Sequence, residues 1–229
     1  MVQAEKHYFP PTRLVPNSPQ PLLHYKGLIS ESDRRPERIH DVLDGNDWKT
    51  QWIFRYGTTQ ASHYHSQIHE AMVVLTGTAT IRFGVADTDP DLDKSTWGGS
   101  QEEGGVEIAA SAGDVFVIPA GVAHKTHDTS PGAAFSLLTP GEARGIPGPD
   151  AREALAKVQL SGFTMMGSYP KNCGHWDFSV GGEDVGNFQA SWNVPRPEKD
   201  PFLGDSPDGL VGLWKAIAPP ERGGVHSKL

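Results

Sequence analysis

The 229-residue chain is 37% hydrophobic, with 26 glycines, 19 prolines and a formal net charge of −8. That length buries a core without disulfide staples, and the glycine and proline content favours an all-β fold rich in turns over a helical bundle. The acidic balance, with no basic patch, argues against nucleic-acid or anionic-membrane partners. A single cysteine, Cys173, permits no internal disulfide and points to a reducing compartment. No apolar run approaches the length of a transmembrane helix, and the first residues lack the apolar stretch of a signal peptide.

In chain order, residues 1–35 are proline-rich with little periodicity and are expected to lie over the surface as an arm. Pro36 suits the first turn of a short helix ending at Gly45, with Ile39, Val42 and Leu43 as its apolar stripe. The period then shortens: Trp52, Phe54 and Tyr56 alternate with Gln51, Ile53 and Arg55, as in a strand with one aromatic face. Those three rings read as core more than as a stacking platform. Short β-prone runs follow at 71–75, 79–85, 106–109, 115–118 and 134–138, separated by Gly77, Gly113, Gly121 and Pro131. Strands so spaced, without intervening helices, predict a sandwich or barrel.

Residues 87–105 read as an acidic, mobile loop. Its alternating Asp87, Asp89, Asp91 and Asp93 resemble a calcium loop only superficially, because Leu92 and Gly98 stand where an EF-hand needs Gly and Glu. Beyond Gly141 the sequence predicts a helix over 151–158 capped by Asp150, then an irregular stretch. Leu210, Leu213, Trp214 and Ile217 form a short amphipathic helix. Both helices are expected on the outside of the sheet. The terminal Ser227-Lys228-Leu229 reads as a peroxisomal address in a eukaryote; otherwise the chain is expected in the cytoplasm.

The chemistry concentrates between residues 63 and 127, which hold five of the ten histidines. His63 and His65 are two apart, so on a strand both rings leave one face. Glu70 has the wrong parity for that face unless Ser66 and Gln67 break the strand; Glu70, Met72 and Val74 then point inward together. His124 follows Pro119-Ala120-Gly121, a turn that delivers it to the same pocket. His69 and His127 have odd spacing from Glu70 and His124 and are expected to face away, as is Tyr64. Asp128 either orients an imidazole or sits on a surface turn. Arg55 and Arg82 read as solvated strand residues, and His175 and Trp176 as a lid only in outline.

Gly57, His63, His65, Glu70 and Gly77 fit G-x5-H-x-H-x4-E-x6-G, and Gly113, Pro119, Gly121 and His124 fit G-x5-P-x-G-x2-H. In this the chain resembles the cupin superfamily over residues 50–140; Asp128 replaces the Asn that closes the second motif. Gly167-Ser168-Tyr169-Pro170 and Trp176-Asp177 also resemble a branch of small bacterial and fungal cupins. The resemblance implies a jelly-roll-like antiparallel β-barrel over 50–140, with residues 1–49 and 141–229 as an N-terminal arm and a C-terminal extension. It further implies one divalent transition-metal ion (Fe, Mn, Ni, Cu or Zn) held by His63, His65, Glu70 and His124. Three imidazoles and a carboxylate independently suit such an ion, leaving positions open for a small-molecule substrate.

The expected function is therefore a metal-dependent enzyme, with Glu70 or a bound hydroxide as base and a mononuclear non-haem dioxygenase favoured. A metal-dependent isomerase, lyase or decarboxylase and a non-catalytic ligand-binding barrel are the alternatives. By analogy with barrels that pair through edge strands or arms, a homodimer is also expected.

Overall fold

The glycine-punctuated runs assemble into two antiparallel sheets that face each other. The computed structural model describes residues 3–216; Ile217 and the Ser227-Lys228-Leu229 tripeptide lie outside them. The strands are β1 (Glu5–Phe9), β2 (Ser18–Tyr25), β3 (Trp48–Arg55), β4 (Glu70–Thr76) and β5 (Thr78–Phe83), followed by β6 (Val106–Ser111), β7 (Val115–Ile118), β8 (His124–Ser130), β9 (Ser136–Leu137) and β10 (Thr164–Pro170). One sheet has the order β1-β2-β7-β4-β10-β3-β9 and the other β6-β5-β8. The helices are α1 (Pro36–Gly45), α2 (Leu92–Thr96), α3 (Ala151–Ala156), α4 (Phe188–Trp192) and α5 (Leu210–Leu213). None among the described residues is long and apolar enough to cross a membrane.

Strand alternation sorts the core into two layers. Leu22, Trp52, Met72, Val74, Phe116 and Met165 project from the large sheet onto Ile81, Phe83 and Ile108 of the small one. Their neighbours Leu23, Tyr25, Ile53, Val73, Val117 and Met166 project the other way, onto Ile39 and Leu43 of α1, Leu155 of α3 and Leu210 of α5. The outer helices thus cover the large sheet, as expected. Double coverage also explains why β4 reads as an almost unbroken apolar run: neither face meets water.

Five expectations need correction. Residues 1–35 are not a surface arm, since β1 and β2 are strands of the large sheet, with β2 paired to β7 through Leu23–Val117. Nor is the stretch after α3 irregular. β10 sits in the middle of the sheet between β3 and β4, so the sheet extends beyond residues 50–140 on both sides. The segment 87–105 carries α2, capped by the Asp91 side chain accepting from the Asp93 and Lys94 amides. α2 is pinned by Arg82, which is buried rather than solvated and donates to the Ser95 and Thr96 carbonyls and the Glu107 carboxylate. α1 has its expected bounds and Asp150 caps α3. The last helix stops at Leu213, because Trp214 is already extended.

Candidate metal centre

His63 and His124 are joined backbone to backbone: His124 N donates to His63 O at 2.8 Å and His63 N to His124 O at 3.1 Å. This bridge sets the two rings with centroids 4.3 Å apart. The turn before His124 depends on Gly121, whose φ is +87° and where a Cβ would stand 2.5 Å from the Asn17 carbonyl oxygen. Gly121 N also donates to His65 O, tying the turn to the His63–His65 segment.

The parity problem at Glu70 is solved by a bend at Ser66 and Gln67, whose amides both donate to the Asp177 carboxylate, at 2.7 and 3.1 Å. After the bend β4 starts at Glu70, and Glu70, Met72 and Val74 share the inner face.

The structure brings together the three imidazoles, with one carboxylate oxygen beside two of them. Ligand-capable atoms of His63, His65 and His124 lie within 4.8 Å of one another. Glu70 Oε2 stands 3.4 Å from His124 Nε2 and 3.7 Å from His65 Nε2. Donors around a single ion at about 2.1 Å are roughly 3.0–3.4 Å apart, so small movements suffice.

Two observations test the fit of an ion. The Nδ1 atoms of His63, His65 and His124 lie against the carbonyls of Ala61, Asp177 and Val122. A carbonyl only accepts, so each Nδ1 carries hydrogen, which makes each Nε2 the nitrogen that can present a lone pair to a cation. Glu70 Oε2, meanwhile, is buried without a hydrogen-bond partner, and a bare buried carboxylate oxygen is costly unless a cation meets it. The residues fit.

The electrostatics are those of a buried carboxylate set among imidazoles. Burial opposes charge on Glu70, yet the imidazoles of His65, His124 and His63 outweigh it and hold the carboxyl at about 2. His65 is drawn up despite burial, by Glu70. Burial pushes His63 and His124 down, toward the neutral form that a metal ligand requires.

The four donors form the floor of a cavity of about 210 Å³. Its walls are aromatic: Trp52, Phe54, Tyr56, Phe135 and Tyr169, with Trp176 and Phe178 at the mouth. Phe178 stacks on His63 at 4.6 Å, and the Arg144 guanidinium lies 4.4 Å above the Trp176 ring. Tyr169 is buried, with its hydroxyl 3.3 Å from His65 Nε2 and accepting from Trp52 Nε1 at 3.4 Å.

Residues 56–157 match the family model described as Cupin. This segment belongs to the cupin superfamily. Over 133 residues, 56% of this chain and 65% of the other, the chain is 31% identical to the uncharacterized protein YjlB of Bacillus subtilis (strain 168). It thus spans just under two thirds of that relative. Among solved structures, Bacillus subtilis oxalate decarboxylase, studied for its Mn(II) centres, matches at 11% identity with a TM-score of 0.29, over 70% of this chain and 28% of its own. A vicilin from hazelnut, Corylus avellana, matches at 14% identity with a TM-score of 0.25, over 72% and 31%.

The other residues singled out in the sequence fall outside the donor set. His69 faces away: its Nδ1 accepts from Ala120 N and its Nε2 donates to Pro195 O, 3.0 Å each. His127 also faces away, and its Nδ1 donates to Asp128 Oδ2 at 2.9 Å. Asp128 therefore orients an imidazole, but not that of a ligand, and sits exposed at φ +52°. Tyr64 is buried on the outer side, donating to Asp184 Oδ2. Arg55 binds the Ala134 carbonyl and Ser161. Contrary to expectation, Trp52, Phe54 and Tyr56 are a cavity wall as well as core. Asp177 and Tyr169 acquire roles that the sequence did not disclose; only their place in the Gly167–Pro170 and Trp176-Asp177 resemblance marked them.

Proposed function

We propose that this cupin is a metal-dependent enzyme acting on a small, planar, largely apolar molecule with an oxygen donor at one edge, by dioxygenase-type oxidation. The reading is carried by one observation: three clustered imidazoles, with the Glu70 carboxylate beside two of them, face a small cavity whose walls are mostly aromatic. A cavity of about 210 Å³ is below the usual size for drug-like ligands, which favours a compact substrate. Apart from Glu70 and the histidines, its lining residues carry no charge, and Gln60 is the one amide. A substrate body would therefore be held by ring contacts, with its polar edge directed at the floor.

A bound divalent ion supplies Lewis acidity and, when redox-active, the electron transfer that dioxygen chemistry needs. Glu70 contributes charge to the donor set, with its Oε2 turned toward the imidazoles; this favours a holding role over that of free base. Tyr169 is the proton-bearing group above the floor, placed to donate to a substrate oxygen. Trp176 and Phe178 narrow the mouth and exclude water.

The test is elemental analysis of natively expressed protein, compared with His65→Ala and Glu70→Ala. Each variant should lose close to one transition-metal ion per chain; unchanged occupancy would refute the ligand set. Oxygen-electrode traces with Fe(II) and a panel of phenols, enediols and diketones should show substrate-dependent uptake. Product formation with flat traces would assign an isomerase, lyase or decarboxylase instead, and saturable binding without product a ligand-binding barrel.

A further inference from the structure

At the edge of the large sheet, away from the aromatic cavity, three more ligand-type side chains converge. The β1–β2 register sets Glu5 opposite His24, and His7, two residues along β1, projects on the same side. Glu5 Oε2 is 3.9 Å from His7 Nε2 and 3.9 Å from His24 Nδ1, and ligand atoms of the three lie within 4.8 Å of one another.

Two features single this cluster out from an ordinary surface charge group. His24 is fully buried, with Phe116 stacked on its face at 4.3 Å, and neither of its ring nitrogens has a hydrogen-bond partner. His7 Nε2 is likewise buried and unpartnered. Two buried imidazole nitrogens, His24 Nδ1 and His7 Nε2, left bare beside one carboxylate are uncommon in a folded protein. In addition, His24 Nε2 lies 3.4 Å from Asp114 Oδ2. That carboxylate is itself anchored, Oδ1 accepting from Gly27 N at 2.8 Å and Oδ2 from Ser111 N at 2.9 Å.

We propose that Glu5, His7 and His24 form a second divalent-metal site, suited to a Zn(II)-class cation, with Asp114 as the positioning residue behind His24. A hydrogen on Nε2 facing Asp114 leaves the Nδ1 lone pair aimed at Glu5 and His7; this carboxylate–histidine–metal relay recurs behind metal-bound imidazoles. The carboxylate and two imidazoles match the preference of a borderline divalent cation, with a fourth position left for water. Lys26 does not block the site, since it pairs with the other Glu5 oxygen, Oε1, at 2.9 Å and its side chain is mostly exposed. Occupied, the site fastens edge strand β1 to β2. The competing arrangement, an imidazolium at His24 between two carboxylates, has no lone pair to offer and excludes an ion.

The experiment is equilibrium dialysis of EDTA-stripped full-length protein against Co(II) and Zn(II), comparing wild type with His7→Ala and Glu5→Gln. Both altered side chains reach the surface, so both variants should match the wild-type melting curve in EDTA. Each should bind one equivalent fewer than wild type, or bind that equivalent at least about tenfold more weakly, and lose the matching part of the Zn(II)-induced rise in Tm. In His65→Ala this equivalent should persist, which separates it from the cavity-floor ion. Equal stoichiometry and affinity in wild type and both variants would overturn the proposal. So would an ion deficit seen only where the EDTA melting curve is also lowered.

Discussion

A methyl group on Gly167 would collide with the wall of the cavity. Gly167 pairs with Trp52 across β10 and β3, and an added Cβ would lie 2.1 Å from Trp52 Cζ2, 2.2 Å from Cε2 and 2.6 Å from Cη2. Ordinary contact begins near 3.4 Å, so the indole must retreat by about 1.3 Å. The open space beside it is the cavity that Trp52 lines. Overpacking of this kind costs about 1–3 kcal/mol. For a chain of this size, each kcal/mol lowers Tm by about 2–4 °C. The displaced ring also gives up its hydrogen bond to Tyr169 and narrows the space for substrate. Urea denaturation of the metal-free protein measures the cost, and a double-mutant cycle with Trp52→Leu isolates its cause. Gly167→Ala should be expensive beside Trp52 and nearly neutral in the Trp52→Leu background. If the two effects add within about 0.5 kcal/mol, or Gly167→Ala alone is silent, the close approach of strand and ring is not what the glycine serves.

Three further outcomes are expected. Asp200→Ala should cost on the order of 3 kcal/mol or more in urea denaturation, since the buried carboxylate accepts from Tyr25 Oη at 2.6 Å and from the Phe202, Leu203 and Leu210 amides at 2.9 Å each. Tyr169→Phe should keep ion loading and the melting curve while lowering kcat; loss of the ion instead would make the phenol a support for His65 rather than a proton donor. The Asp91 carboxyl is held below its usual value by the Lys94 and Asp93 amides. The stability it gives α2 is therefore complete above the unfolded-state pKa near 4 and disappears as pH falls through the lower folded value. The protection factors of the Asp93 and Lys94 amides, corrected for the intrinsic pH dependence of exchange, should fall on acidification in wild type but not in Asp91→Asn, whose amide oxygen caps without ionising.

What could be read from the sequence was whatever local spacing encodes. His63 and His65 at a separation of two, the Gly121 turn before His124, and Pro36 opening α1 each express geometry within a few residues. Glu70 was legible only by assuming a bend, and the group that stabilises it, Asp177, lies more than a hundred residues away. β10 was missed for a related reason. Met165 and Met166 are buried on opposite faces, so no polar alternation marks the strand, and Gly167 and Pro170 read as breakers. β2 escaped in the same way, with buried residues on both sides and prolines at positions 19 and 21. Glu5 and His7 share the two-residue spacing of His63 and His65, but strand pairing alone brings His24 to them.

The central place of β10 has a consequence for how the chain is made. Until residue 170 has left the ribosome, β3 and β4 each expose a row of unpaired amides and carbonyls, and they cannot join directly because the seat between them belongs to a strand not yet synthesised. His65 waits longer still, since the Asp177 carbonyl that sets its tautomer arrives after β10. A nascent chain halted near residue 160 would hold every histidine of the cavity floor yet lack the frame that aims them, and its bare strand edges would be open to its neighbours.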